Sequence, residues 1–158
     1  METPILFVQA GGSIDKGYPA GKDNHGYPLV IGEPAIHSII QRLRPHFPWR
    51  VITACKKDSL DMDVDDRATV CRCALSAKEN WVIVTHGTDT INLTADTIRT
   101  AVNSAVGYKD KVVVLTGSRL PEQFRDSDAD SNVGMAIATV QLARPGVYIV
   151  LNGNVRRI

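Results

Sequence analysis

The sequence has no apolar run approaching the roughly 18 residues needed to cross a bilayer as a helix, and its start, Met1-Glu2-Thr3-Pro4, lacks the basic region of a secretory leader. A cytoplasmic protein is the expectation. It also lacks charge of one sign: 18 basic against 17 acidic residues leave a formal net charge of +1, with no long single-sign run. That argues against a phosphate backbone or an anionic membrane as partner and favours a small neutral or zwitterionic ligand. Cysteine is scarce, and Cys55, Cys71 and Cys73 are an odd number without metal-ligand spacing. Cys71 and Cys73 fall on different faces of a helix, so buried free thiols in a reducing compartment are expected. No G-x-G-x-x-G and no G-K-[ST] occurs, which removes dinucleotide and P-loop readings and with them any expected cofactor. Internal repeats and low-complexity tracts are missing as well.

What remains is ordinary for one globular domain: 158 residues, 44% hydrophobic and 22% charged, enough to bury a core without staples. Residues 5–10 are an apolar run closed by Gly11-Gly12, which suits a strand buried on both faces. Residues 13–33 hold four glycines and two prolines and show no regular element; such a stretch serves as a lid or as a surface insertion, and Tyr18 and Tyr27 favour the lid. Pro34 then opens a helix with Ile36, Ile39, Ile40 and Leu43 on one face. A second strand is expected over 49–54, followed by a polar turn and a helix running to about residue 78. Asp61, Asp63 and Asp65 alternate as in a calcium loop, but the required glycine is missing and Arg72 stands where a closing Glu belongs. A metal is therefore rejected, and helix N-termini account for the carboxylates.

The third strand, 81–85, runs into His86-Gly87-Thr88-Asp89-Thr90 and a helix marked by Ile91, Ala95, Ile98, Val102 and Ala105. Residues 112–116 are a fourth strand, 117–130 a polar loop, 131–143 a helix and 147–151 a fifth strand before a short polar tail. About five strands alternating with four helices predict an α/β fold, a single doubly wound parallel-sheet domain over 1–158.

In such a sheet the loops after the first three strands open on one edge. They gather Ser13 and Tyr18, then Ser59 and Asp61, then Thr88 and Asp89, with His86 read as structural. A hydroxyl is a poor nucleophile unless a neighbour takes its proton, so Tyr18, or Thr88 through a base, must be held against Ser13. Backbone N–H groups around Gly12 and Gly87 could hold a developing oxyanion. The same residue types also cap helices and make turns, and that plain reading stays open.

Gly11-Gly12-Ser13-Ile14, Ser59-Leu60-Asp61-Met62, His86-Gly87-Thr88-Asp89-Thr90 and Val114-Leu115-Thr116-Gly117-Ser118 with Pro121 resemble, in order, the amino-terminal domain of bacterial-type L-asparaginases. Gly-Gly-Ser-Ile-Asp-Lys-Gly-Tyr is most similar to the short single-domain members, which have no carboxy-terminal domain. The resemblance implies hydrolysis of the side-chain amide of asparagine, and often glutamine, by two Thr-centred triads in a homo-oligomer. By position it implies Ser13 as nucleophile and Tyr18 as the residue that activates it. It implies Thr88 and Asp89 as the second hydroxyl and its acid, with Asp89 also on the substrate amine. Ser59 would meet the substrate carboxylate, and Ser118 would lie near the leaving ammonia; Gly12 and Gly87 complete the expected substrate-binding set.

Three features depart from the family. Ser13 replaces the usual Thr and loses the β-methyl that restricts its rotamer. The catalytic Lys has Arg157 as its nearest match, and a guanidinium that stays protonated cannot act as a base. The loop 127–132 only loosely resembles the family's S-A-D-G-P stretch. Two functions follow as expectations: an amidohydrolase slowed by these changes, or an amino-acid-binding module that keeps the asparagine/aspartate site without hydrolysis.

Overall fold

The computed structural model describes residues 2–19 and 26–158. In chain order the elements are β1 (Ile5–Gly11), β2 (Lys16–Gly17), β3 (Val30–Ile31), α1 (Ile36–Leu43), β4 (Trp49–Lys57), α2 (Val64–Leu75), β5 (Trp81–Thr85), α3 (Ile91–Ser104), β6 (Val112–Thr116), α4 (Ala129–Leu142), β7 (Gly146–Leu151) and β8 (Asn154–Arg157). Short 3-10 turns at Ser13–Asp15 and Ser59–Asp61 follow β1 and β4. Six strands form one sheet in the order β4-β1-β5-β6-β7-β8, parallel except for β8.

The central strands carry unbroken apolar runs because helices cover both faces. Along β1, Ile5 and Phe7 join Ile36, Ile39, Ile40, Val133 and Val140 from α1 and α4. Leu6 and Val8 point the other way and join Val70, Leu75, Ala95 and Ile98 from α2 and α3. Each such side chain contributes about 1.5–3 kcal/mol when taken out of water. The sheet is thus wound on both faces, as expected.

The aspartates of 58–66 serve helix N-termini. Asp58 accepts from Leu60 N at 3.2 Å, and Asp63 with Asp66 forms a capping box at the start of α2. Lys57 adds an ion pair to Asp66 at 2.7 Å.

Several expectations need correction. The stretch 13–33 is not without structure: Lys16 and Gly17 pair antiparallel with Ile31 and Val30, while residues 20–25 of the expected lid lie outside the described residues. β4 continues to Lys57, and α2 ends at Leu75 rather than near 78. Leu43 is exposed because Arg44 turns left-handed (φ 48°) and ends α1 at that point. Cys71 is buried, whereas Cys55 and Cys73 are only half-buried. The polar tail forms an additional strand, β8, which folds back antiparallel along β7.

Strand order now places the ligand edge. β1 leads through α1 to β4 on one side, after which the chain crosses β1 to reach β5 on the other. α1 and α3, which follow β1 and β5, pack on opposite faces, so a crevice opens between the carboxyl ends of β1 and β5.

Candidate active site

The two turns flanking that crevice are in backbone contact. Gly11 (φ 115°) and Gly12 (φ 89°) take conformations that L side chains rarely adopt. A Cβ on Gly12 would lie 2.4 Å from Gly87 Cα and N, and one on Gly87 would lie 2.7 Å from Ser59 Oγ. Glycine at 12 and 87 lets the turns of Ser13, Ser59 and Thr88 close to van der Waals distance. Gly117, after β6, approaches His86 O in the same way.

Ser13 begins its 3-10 turn half-exposed, as is Thr88, and Asp89 is exposed. Ser59 is buried; its Oγ accepts from Thr90 N at 3.3 Å and its carbonyl accepts from Thr90 Oγ1 at 2.8 Å. Arg67, held by Met62 O at 2.8 Å, donates to Thr90 Oγ1 at 3.3 Å. Thr90 and Arg67 are therefore braces that sequence reasoning did not single out. Position 90 belonged to the motif, but nothing in the spacing pointed to Arg67.

His86 is fully buried, with Nδ1 2.8 Å from Gly87 O and Nε2 2.7 Å from Thr94 Oγ1. Burial holds its pKa below the usual value. The neutral ring must donate from Nδ1, since a carbonyl only accepts, and Nε2 then accepts a hydrogen bond from the Thr94 hydroxyl. It is a strut beneath the turn.

Ser118 is buried and donates through Oγ to Leu120 O. Asn132 fastens this loop: Nδ2 donates to Gly117 O at 2.9 Å and Asp128 Oδ2 at 3.0 Å, and Oδ1 accepts from Asn152 N at 3.0 Å. Asn132 lies in the stretch 127–132, and Ser118 follows Gly117 after β6.

Tyr18 is 40% exposed and lines a groove of about 460 Å³ with Asp15, Lys16, His37 and Gln123. Lys16 Nζ bonds Asp58 at 2.9 Å, linking the Ser13 turn to the residue that caps the Ser59 turn.

A family model for the asparaginase N-terminal domain matches residues 4–157. The chain belongs to the asparaginase N-terminal family. It is 32% identical over 94 residues to an L-asparaginase of Thermococcus kodakarensis, the match covering 58% of this chain and 27% of that protein. The thermostable L-asparaginase structure from Thermococcus kodakarensis superimposes with a TM-score of 0.79 at 21% identity, over 98% of this chain and 46% of that one. L-asparaginase I from Vibrio cholerae gives 0.76 at 21% identity, over 99% and 47%. A probable cytoplasmic L-asparaginase from Campylobacter jejuni gives 0.73 at 22%, over 99% and 46%. At these identities the structural likenesses show a shared fold, and this chain spans about half the length of each. Among the described residues no helix is long and apolar enough to cross a membrane.

In this asparaginase-family domain the turns of Gly12-Ser13, Ser59, Gly87-Thr88-Asp89 and Ser118 come to one edge. Arg157 does not. Antiparallel pairing sets it opposite Tyr148, toward the amino end of β7, where Nη2 donates to Pro145 O at 3.0 Å and the guanidinium lies 5.9 Å from the Tyr148 ring centroid. Arg157, the nearest match to the family's Lys, is therefore not held at that edge: the tail reverses at Asn152-Gly153 and carries position 157 back along the sheet.

Proposed function

We propose that this chain hydrolyses the side-chain amide of L-asparagine, with L-glutamine as the second candidate, to the acid and ammonia. Ser13 is the nucleophile and Tyr18 its activator; Thr88 and Asp89 form the second hydroxyl–acid pair. Asp89 takes the substrate amine, Ser59 stands on the carboxylate side, and Ser118 flanks the departing ammonia. The observation that carries this reading is the approach of Gly12 to Gly87, where a Cβ would lie 2.4 Å from backbone. It seats the two hydroxyl turns in the crevice of a fold shared with L-asparaginases. Gly12 N already donates to Lys57 O at 3.0 Å, which leaves the Gly87 N–H as the donor proposed for the oxyanion.

Activity is proposed to be slower than in Thr-bearing relatives, since an unrestricted Ser rotamer is less well oriented. The homo-oligomer implied by the resemblance belongs to the same proposal and is checked by light scattering.

One observation favours a second reading, binding of asparagine or aspartate without turnover. Arg157 sits away from Thr88, and Lys16, Lys56 and Lys57 are each paired with a carboxylate: Asp58, Glu33 and Asp66. Ammonia release and thermal shift, measured together on asparagine, glutamine and aspartate, separate the two. Hydrolysis predicts ammonia from asparagine; binding alone predicts a raised melting temperature with none.

A further inference from the structure

The turn that presents Ser13 is fastened to the segment between β3 and α1 through the residue at its end. Asp15 is buried, 5% exposed, two positions after Ser13. Its carbonyl accepts from Gly32 N at 2.9 Å, and its Oδ1 accepts from Ala35 N at 2.8 Å. A single residue thereby binds the chain at two points as it leaves β3 and enters α1. Gln9 reinforces the first point by donating to Gly32 O at 3.0 Å, and Thr53 orients Gln9 from the other side at 2.8 Å. Asp15 Oδ2 is buried without a hydrogen-bond partner. Burying half a carboxyl group unpaired is costly, and fold architecture alone does not require it, since any backbone acceptor could receive one N–H. The cost falls beside the candidate nucleophile. The neighbouring residues carry ties of their own: Ile14 O accepts from Glu122 N at 3.1 Å, and Lys16, the next residue, reaches Asp58 and opens the strand that leads to Tyr18.

We propose that Asp15 is a positioning residue for Ser13: its carboxylate fastens the entry to α1, as its main-chain carbonyl fastens the end of β3, onto the nucleophile's own turn, keeping Ser13 and Tyr18 in fixed relation. The proposal rests on the roles assigned to Ser13 and Tyr18 above. Asp15 does not touch substrate; it acts through the backbone that carries both residues.

The test compares Asp15→Ala, which removes the acceptor, with Asp15→Asn, which keeps an oxygen in place of Oδ1. Asp15→Ala should lower kcat by about tenfold or more while KM moves less than about threefold, because orientation is lost rather than binding. Asp15→Asn should restore kcat. Hydrogen exchange should show the Ala35 amide about tenfold less protected in the Ala variant and protected again in the Asn variant. A folded Asp15→Ala with unchanged kcat overturns the proposal, as does an Asn variant as impaired as Ala. Should Asp15→Ala fail to fold, Asp15→Glu, which displaces the carboxylate by one methylene, takes its place with the same expected losses. If the wild type releases no ammonia at all, the hydrolytic reading fails and exchange alone decides the clasp. Protection lost in Ala and kept in Asn then supports it, and equal protection in both overturns it.

Discussion

The two ends of the sheet treat buried polar groups in opposite ways. At the amino end, Lys111 is buried but donates to Ala77 O at 2.5 Å and Glu79 O at 2.7 Å. The Glu79 carboxylate takes both arms of Arg50, at 2.7 and 2.8 Å. At the carboxyl end the satisfaction is incomplete. Among the described residues the buried side-chain atoms without a partner are Asp15 Oδ2, Arg67 Nε and Thr85 Oγ1. They lie after β1, against Thr90 and at the end of β5. One end is arranged for stability alone, whereas the other tolerates unpaired groups and glycine-only contacts where ligands bind in such folds.

Substitutions can break that contrast. Gly12→Ala should have the largest effect: the new Cβ meets Gly87 backbone, and a displacement near 1 Å costs about a hundredfold in turnover. Kinetics and a melting curve check it. Lys111→Met is its counterpart at the other end. It leaves the Ala77 and Glu79 carbonyls unpaired and should cost about 1–3 kcal/mol by denaturant titration, with activity per folded molecule unchanged.

Asp15→Asn sharpens the comparison through pH. Burial pushes the Asp15 carboxyl up from its ordinary 3.8 to about 6, against the favourable Ala35 N–H, Gln9 and Lys56. An acid raised in the folded state is stable when protonated, so the wild type loses stability as pH rises through that window. The Asn variant does not, and the gap should level off above it at about 3 kcal/mol in its favour. Chemical denaturation at a series of pH values reads this directly, and a gap that widened toward acid would refute it. The smallest effect is expected for Arg157→Ala, within about 0.5 kcal/mol and without change in turnover. Arg157→Lys should likewise fail to raise activity.

The sheet was legible because 5–8, 81–84 and 112–115 are unbroken apolar runs, which strands covered on both faces require. The candidate turns were legible for a related reason: Gly-Gly-Ser and His-Gly-Thr-Asp-Thr end such runs abruptly. β8 was not, since an edge strand of Asn154, Val155, Arg156 and Arg157 buries nothing and carries no alternation. Once it is an antiparallel strand, Arg157 is carried back along β7, so the reversal hidden in Asn152-Gly153 misplaced one candidate residue. β2 and β3 are too short for any period to show. Asp15 stood in plain view beside Ser13, but its burial depends on Ala35 and Gln9, twenty and six residues away. Sequence spacing does not encode that.

Ser13, at the carboxyl end of the sheet, is the proposed nucleophile for amide cleavage. Ammonia release from L-asparagine by the wild type and by Ser13→Ala, with both proteins shown to melt alike, tests it most directly. Release by the wild type and its loss in the variant are expected. Equal release by both would contradict it.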